Sequence, residues 1–395
     1  MALRELQLRF WLVNAHSKEL NMRTVVIGSG SWGTALAQVL QDNHQEVLVY
    51  GVAEAEVNDI NENHKNSKYF GDVELNPELK ATTDIQCVKG ADIVLLAVPT
   101  IAIDPICHQI NDILDKKTII INVSKGFHPE TNERMSEVIR RCIDEDKLSS
   151  VVSLIGPSHA EEVVIRLLTT IDAISLNNED AVTVQNLFSN QYLRIYTGND
   201  EIGSELGVAI KNVMAIASGI LSGLGYQDNT RAALITRGLQ EMIRYGVHFG
   251  GQQKTFMGLT GIGDLIVTCT SVHSRNFEAG YQIGKENSVE NFFKNNTKTV
   301  EGVRTAKIVH RVAKENGIDG VLTAATDYGV LTAAYIAQEM HLPGLQYEVA
   351  QLIKNKYKVR KCLFDNHVDD TEQAYEVHAD TDIEKLACRL TYPVM

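Results

Sequence analysis

A strand that runs straight into a glycine turn and then a helix constrains this chain more than any other feature: TVVIGSG at 24–30 is followed at once by SWGTALAQVLQDN. Gly28, Gly30 and Gly33 satisfy the GxGxxG spacing in the context that gives it meaning, the switch from strand to helix. Gly28 allows the tight turn, Gly30 lets a pyrophosphate approach the backbone, and Gly33 lets helix and strand pack closely. The amide end of the helix then faces the phosphates. A second apolar strand, EVLVYGV at 46–52, completes the opening of a dinucleotide-binding unit.

The alternation continues. ADIVLLAVP at 91–99 and KTIIINVSKG at 117–126 read as fully buried parallel strands, and SSVVSLIGPSHAEEV at 149–163 as a strand turning into a helix. After about Asn199 the texture becomes helical, with GSELGVAIKNVMAIASGIL and NTRAALITRGLQEMIRYGVHFG. The expected fold class is α/β: a Rossmann-type doubly wound parallel sheet over residues 22–200, then a mainly α-helical domain over 201–319, flanked by an extension at 1–21 and an atypical tail at 320–395.

Composition removes several classes of function. With a net charge of −13 and its Lys and Arg scattered, the chain shows no basic footprint for nucleic acid or an anionic membrane. Small molecules are the expected partners. No apolar run approaches the roughly 20 residues of a spanning helix, and the mixed N-terminus lacks the layout of a secretory signal. The six cysteines are far apart without CxxC spacing, so neither a metal site nor a disulfide framework is expected and a cytoplasmic location fits.

Within LGVAIKNVMAIASGILSGLGY, at 206–226, Lys211 is the only charge. Burying an unpaired ammonium costs several kcal/mol, so either Lys211 snorkels to water along a wet helix edge or its shifted pKa serves proton transfer. Three further places offer chemistry. Lys125 ends an apolar strand, at the sheet edge where open α/β folds bind ligands, or it is an ordinary loop lysine. Asp264, isolated in TGIGDLIVTCT, needs a cationic partner or caps a helix. Arg275 with Asn276, in HSRN, could grip a phosphate or lie free on the surface. The acid that usually reads an adenosine ribose is absent after the second strand, where Tyr50, Gly51 and Val52 stand and Glu54 is too displaced, so NAD or NADP remains open.

Taken in order, GSGSWGTALA, AVPT, SKGF, GPSHAEEV, ELGVAIKNVMAIASG, NTRAALITRGLQEM, TFMGLTGIGDLIVTCTS, HSRN and VEG resemble the bacterial NAD(P)-dependent glycerol-3-phosphate dehydrogenases over residues 22–319. The resemblance implies interconversion of dihydroxyacetone phosphate and sn-glycerol 3-phosphate for glycerophospholipid synthesis, by a cytoplasmic enzyme that is commonly a homodimer. It implies Lys211 as acid and base at the C2 oxygen, with Lys125 and Asp264 beside it as catalytic partners. Gly156, Ser158, Ser274, Arg275 and Asn276 fall at substrate positions along with these three. Gly28, Gly30, Ser31, Trp32, Gly33, Lys125, Ala160, Arg275 and Glu301 fall at cofactor positions. His159, beside the substrate segment, is read as structural. The alternative is an impaired dinucleotide-binding protein, because beyond Asp319 the family pattern stops and the chain resembles the front of an ATP-grasp ligase, ending in an acidic run from Asp365 to Glu384.

Overall fold

The computed structural model describes residues 22–286, 292, 300–315 and 365. The expectations for residues 1–21, and for the helices and acidic run of the tail, fall outside those residues. The chain divides into two compact units, Met1–Arg311 and Val312–Met395, and every element below begins in the first.

Eight strands form one sheet in the order β3-β2-β1-β4-β5-β6-β7-β8. They are β1 (Thr24–Ile27), β2 (Val47–Tyr50), β3 (Lys80–Thr82), β4 (Ile93–Leu96), β5 (Thr118–Asn122), β6 (Leu148–Ile155), β7 (Thr169–Ile174) and β8 (Leu193–Gly198). The order reverses between β1 and β4, the crevice where doubly wound sheets take ligands. Alternation along β1 sends its side chains to two cores. Val26 packs with Ala35, Leu36 and Leu40 of helix α1 (Ser31–Asp42), while Val25 and Ile27 pack with Ile103 and Ile110 of α2 (Thr100–Asn111) and Val138 of α3 (Met135–Cys142). A fourth helix, α4 (Asn178–Phe188), adds Val184 and Phe188 to the first core.

One departure from an all-parallel sheet is visible: β7 runs antiparallel to β6, and β8 follows β7 in parallel. The connection from β6 holds only the short helix Ala160–Val164. At five residues that helix spans about 7.5 Å, far less than the roughly 26 Å of an eight-residue strand, so it does not form the strand-length crossover helix of a βαβ unit, and the chain returns antiparallel.

Beyond β8 the described chain is helical: α5 (Glu201–Gly223), α6 (Asp228–His248), α7 (Asp264–Thr270), α8 (Arg275–Glu286) and α9 (Glu301–Glu315). Asp200 caps α5 by accepting the Gly203 N–H at 3.0 Å. The small residues of α5 are explained by its neighbour. A Cβ on Gly219 would stand 2.1 Å from the Phe277 carbonyl oxygen, and one on Gly280 2.0 Å from that of Ile216, so α5 and α8 meet backbone to backbone.

Helix α5 also corrects an expectation, because at 23 residues it is long and apolar enough by composition to cross a membrane. Here it packs on neighbours, and its charged residues are paired. Near its start, Glu201 accepts both Arg140 guanidinium nitrogens at 2.7 and 2.6 Å, and Glu205 accepts Ser136 Oγ at 2.7 Å, the Ser136 N–H at 3.1 Å and Ser153 Oγ at 3.1 Å. Arg134 joins the two carboxylates, with Nη1 at 3.1 Å from Glu205 and 3.4 Å from Glu201. The helix that carries Lys211 is thus held onto α3 and β6.

Candidate active site

Lys211 does not snorkel. Its residue is 4 % exposed, and its Nζ lies 2.7 Å from Asp264 Oδ1 and donates to Thr268 Oγ1 at 2.7 Å. The Thr268 hydroxyl donates in turn to the Asp264 carbonyl at 2.6 Å, one helical turn back, which leaves its oxygen facing the lysine. An ammonium has three donors, and two are taken by the protein. The third is free for a substrate oxygen. Burial is the largest influence on this amine and, with the nearby charge of Lys125, pushes its pKa down to about 8, although Asp264 opposes them.

Asp264 is the first residue of α7 and wholly buried. Its carboxylate serves the lysines rather than capping the helix: Lys125 Nζ stands 3.2 Å from Oδ2 and 3.4 Å from Oδ1. Lys125 lies in the loop just past β5 and also donates to the Gly156 carbonyl at 2.7 Å. Gly156 has φ +151°, in the region glycine favours, and its carbonyl accepts Ser158 Oγ at 3.1 Å as well. Lys125, Gly156, Ser158, Lys211 and Asp264 therefore form one contacting group at the carboxyl edge of the sheet.

A second group is joined to it by Asn212, which the sequence reading did not single out. Its Nδ2 donates to the Lys125 carbonyl at 3.4 Å, and its Oδ1 accepts from Asn276 Nδ2 at 3.0 Å. Asn276 Oδ1 accepts the Gly302 N–H at 2.9 Å, so this side chain keeps one N–H for a ligand rather than a free amide. Ser274 is buried at the start of α8, where its hydroxyl oxygen accepts the Phe277 N–H at 3.2 Å and keeps its own proton to donate. Arg275 is exposed, and its charge acts on Glu301. Burial raises the pKa of Glu301, whose oxygens each lie 3.4 Å from Thr100 Oγ1 at the start of α2.

His159 has a buried Nε2 without a hydrogen-bond partner, and burial with the charges of Lys125 and Lys211 lowers its pKa. A neutral ring beside two ammonium groups agrees with a structural role. Thr268, like Asn212, carried no sequence signal of its own; its position one turn after Asp264 and the Lys-Asn pair were the available hints.

The glycine loop fits a dinucleotide. Gly28 has φ +117°, and a Cβ there would stand 2.6 Å from the Ala97 carbonyl oxygen. Gly30 has nothing within 4 Å of its Cβ direction, and Gly33 would meet the Gly28 carbonyl at 2.0 Å. The cradle is open at the middle glycine and closed at the other two. Trp32 Nε1 is buried without a partner beside it, Ser31 opens α1, and Ala160 opens the short helix after β6.

Another cluster was not foreseen. Asp104, His108 and Cys142 bring potential metal-ligating atoms within 4.8 Å of one another, but the Arg141 guanidinium already pairs with Asp104 at 2.8 Å. Among the described residues, Cys87, Cys107, Cys142 and Cys269 are free thiols.

Comparisons agree with this geometry. Residues 23–181 match the family described as NAD-dependent glycerol-3-phosphate dehydrogenase N-terminus, and residues 200–340 match the corresponding C-terminus. The second match runs past Asp319 to residue 340, which corrects the expected end of the resemblance and covers the start of the segment read as similar to an ATP-grasp ligase. A Listeria innocua protein named glycerol-3-phosphate dehydrogenase [NAD(P)+] is 49% identical over 310 residues, 78% of this chain and 91% of the relative. A Macrococcus caseolyticus protein of the same name is 46% identical over 303 residues, 76% of this chain and 91% of its own. The crystal structure of a Coxiella burnetii glycerol-3-phosphate dehydrogenase superposes with a TM-score of 0.71 at 30% identity, over 85% of this chain and 99% of that one.

Proposed function

The chain belongs to the NAD-dependent glycerol-3-phosphate dehydrogenase family, and we propose how its residues divide the work of that reaction. The activity is the NAD(P)-dependent interconversion of dihydroxyacetone phosphate and sn-glycerol 3-phosphate. When bound, the dihydronicotinamide supplies the hydride that reaches C2. Lys211 gives its free third proton to the C2 oxygen during reduction, and as neutral amine takes it back during oxidation. Asp264 and Thr268 aim the amine at 2.7 Å each, and Lys125 holds substrate from the opposite side of Asp264 while lowering the lysine's proton affinity. Arg275, with the remaining N–H of Asn276, takes the phosphate; Gly156 and Ser158 line the same edge.

Gly28, Gly30 and Gly33 cradle the pyrophosphate with Ser31, Trp32 and Ala160 around them, and Glu301 and Arg275 sit toward the nicotinamide side. The dinucleotide part spans 22–200 and the helical substrate part 201–319. The proposal includes a small-molecule enzyme of the cytoplasm, working as a homodimer without nucleic-acid or membrane partners, and gives no separate activity to residues 320–395. No observation favours the impaired binder.

The observation that carries this reading is a buried lysine with one donor unused. Loss of NADH or NADPH absorbance with dihydroxyacetone phosphate and purified full-length protein tests it, and no turnover with either coenzyme would overturn it. Its pH dependence has a defined sign. Reduction needs the ammonium, so its kcat/KM should fall as pH rises through about 8, while oxidation needs the amine and should rise through the same value. Flat profiles in both directions would remove Lys211 from proton transfer.

A further inference from the structure

Coenzyme choice in this fold is read at the end of the second strand, where an acid binds the ribose diol or a cation binds a 2′-phosphate. Here β2 ends in Tyr50, whose carbonyl accepts the Gly28 N–H at 2.8 Å, and is followed by Gly51 and Val52. Val52 is 85% exposed and offers nothing polar. The polar groups come from elsewhere. Ser29, inside the glycine loop, donates Oγ to Glu56 Oε2, and a Cβ on Gly51 would collide with that hydroxyl at 2.5 Å. The Glu56 carboxylate is therefore tucked behind the loop at the strand end. Its other oxygen, Oε1, is held by Lys68 Nζ at 2.6 Å.

Both oxygens of the acid are engaged, and its side chain is only 10% exposed, so accepting two ribose hydroxyls would mean breaking existing bonds. The lysine is the accessible partner: its side chain is 63% exposed, and besides Glu56 its Nζ meets only Tyr69, over whose ring it lies 5.0 Å from the centroid, so an N–H is left for a ligand. It is also anchored against the loop. Asn66, fully buried two residues earlier, donates Nδ2 to the Ser29 carbonyl at 2.8 Å and to Thr34 Oγ1 at 2.9 Å, and the Ser67 N–H is held by Asp59 Oδ2 at 2.7 Å.

We propose that Lys68, positioned by Glu56, receives the 2′-phosphate of NADP(H) and stands in for the cation absent at Val52. This rests on the dinucleotide-binding reading above. The acid that would favour NAD alone is instead spent on holding the lysine, so the chain takes both coenzymes, and Lys68 separates them. The segment from Asn66 to Lys68 thereby acts as the outer wall of the adenosine end.

The test is direct binding, independent of turnover: NADPH and NADH are titrated separately into full-length protein and followed by fluorescence. Lys68→Ala is expected to weaken NADPH about tenfold, the scale of one charge-assisted hydrogen bond, and to leave NADH within about twofold. Lys68→Arg should keep NADPH binding, since the guanidinium also suits a phosphate. Equal weakening of both coenzymes, or no weakening of NADPH while both still bind, overturns the assignment of Lys68 alone. If the unaltered protein binds neither dinucleotide, the cofactor reading fails and this one with it.

Discussion

Replacing Lys211 with alanine is expected to lower kcat about 10² to 10⁴ fold, the usual worth of positioned acid and base help, with NADH binding nearly unchanged. The two effects separate because the lysine lies on α5, among Asp264 and Thr268, whereas the pyrophosphate cradle is built from the loop between β1 and α1. The fold should tolerate the change. Removing one member of a buried ion pair ordinarily leaves a stranded charge, but Asp264 keeps Lys125 at 3.2 Å. Steady-state kinetics and an NADH titration on the same preparation decide it. Turnover retained within a few fold would take the proton-transfer role away from Lys211, and loss of NADH binding in parallel would mean that the variant had disturbed the fold instead.

The isolation of Lys211 was legible in sequence because a charge among small apolar residues has few reasons to be there, and Asp264 was legible for the same reason. Their meeting was legible only through the family resemblance, since nothing in either segment by itself fixes the approach of α7 to α5. Asn212 and Thr268 were invisible for a different cause: both are common polar residues whose value lies only in what they touch. The strand, glycine loop and helix at residues 24–42 could be read directly because turn, close approach and apolar run are local. The reversal at β7 could not be read from strand patterns, as nothing local to β6 or β7 sets the direction in which the chain returns. Lys68 shows the limit from another side. Its partner Glu56 lies twelve positions earlier, and both matter only because Asn66 pins their segment under the loop.

The other large effect belongs to Glu205, whose replacement by leucine is expected to destabilise the protein by on the order of 3–5 kcal/mol, a fall in Tm of roughly 10 °C. The carboxylate serves four donors, from the Ser136 backbone and hydroxyl, Ser153 and Arg134, and leucine would leave all four facing a methyl group in a buried site. Glutamine should cost much less. Burial and the neighbouring charge of Glu201 push the Glu205 pKa up to about 7, against Arg134 and the Ser136 donors, so a neutral acceptor is already well tolerated there. The sign of the pH dependence follows. A carboxyl at about 7 in the folded chain and near 4.5 when unfolded binds more protons folded, so its share of stability is lost as pH rises through that window and is constant above it. The Glu205→Gln variant should lack that slope. Thermal unfolding of the three proteins from pH 4.5 to 8 measures both effects, and a leucine variant as stable as the original would mean that α5 is held to α3 by Glu201 with Arg140 and Arg134.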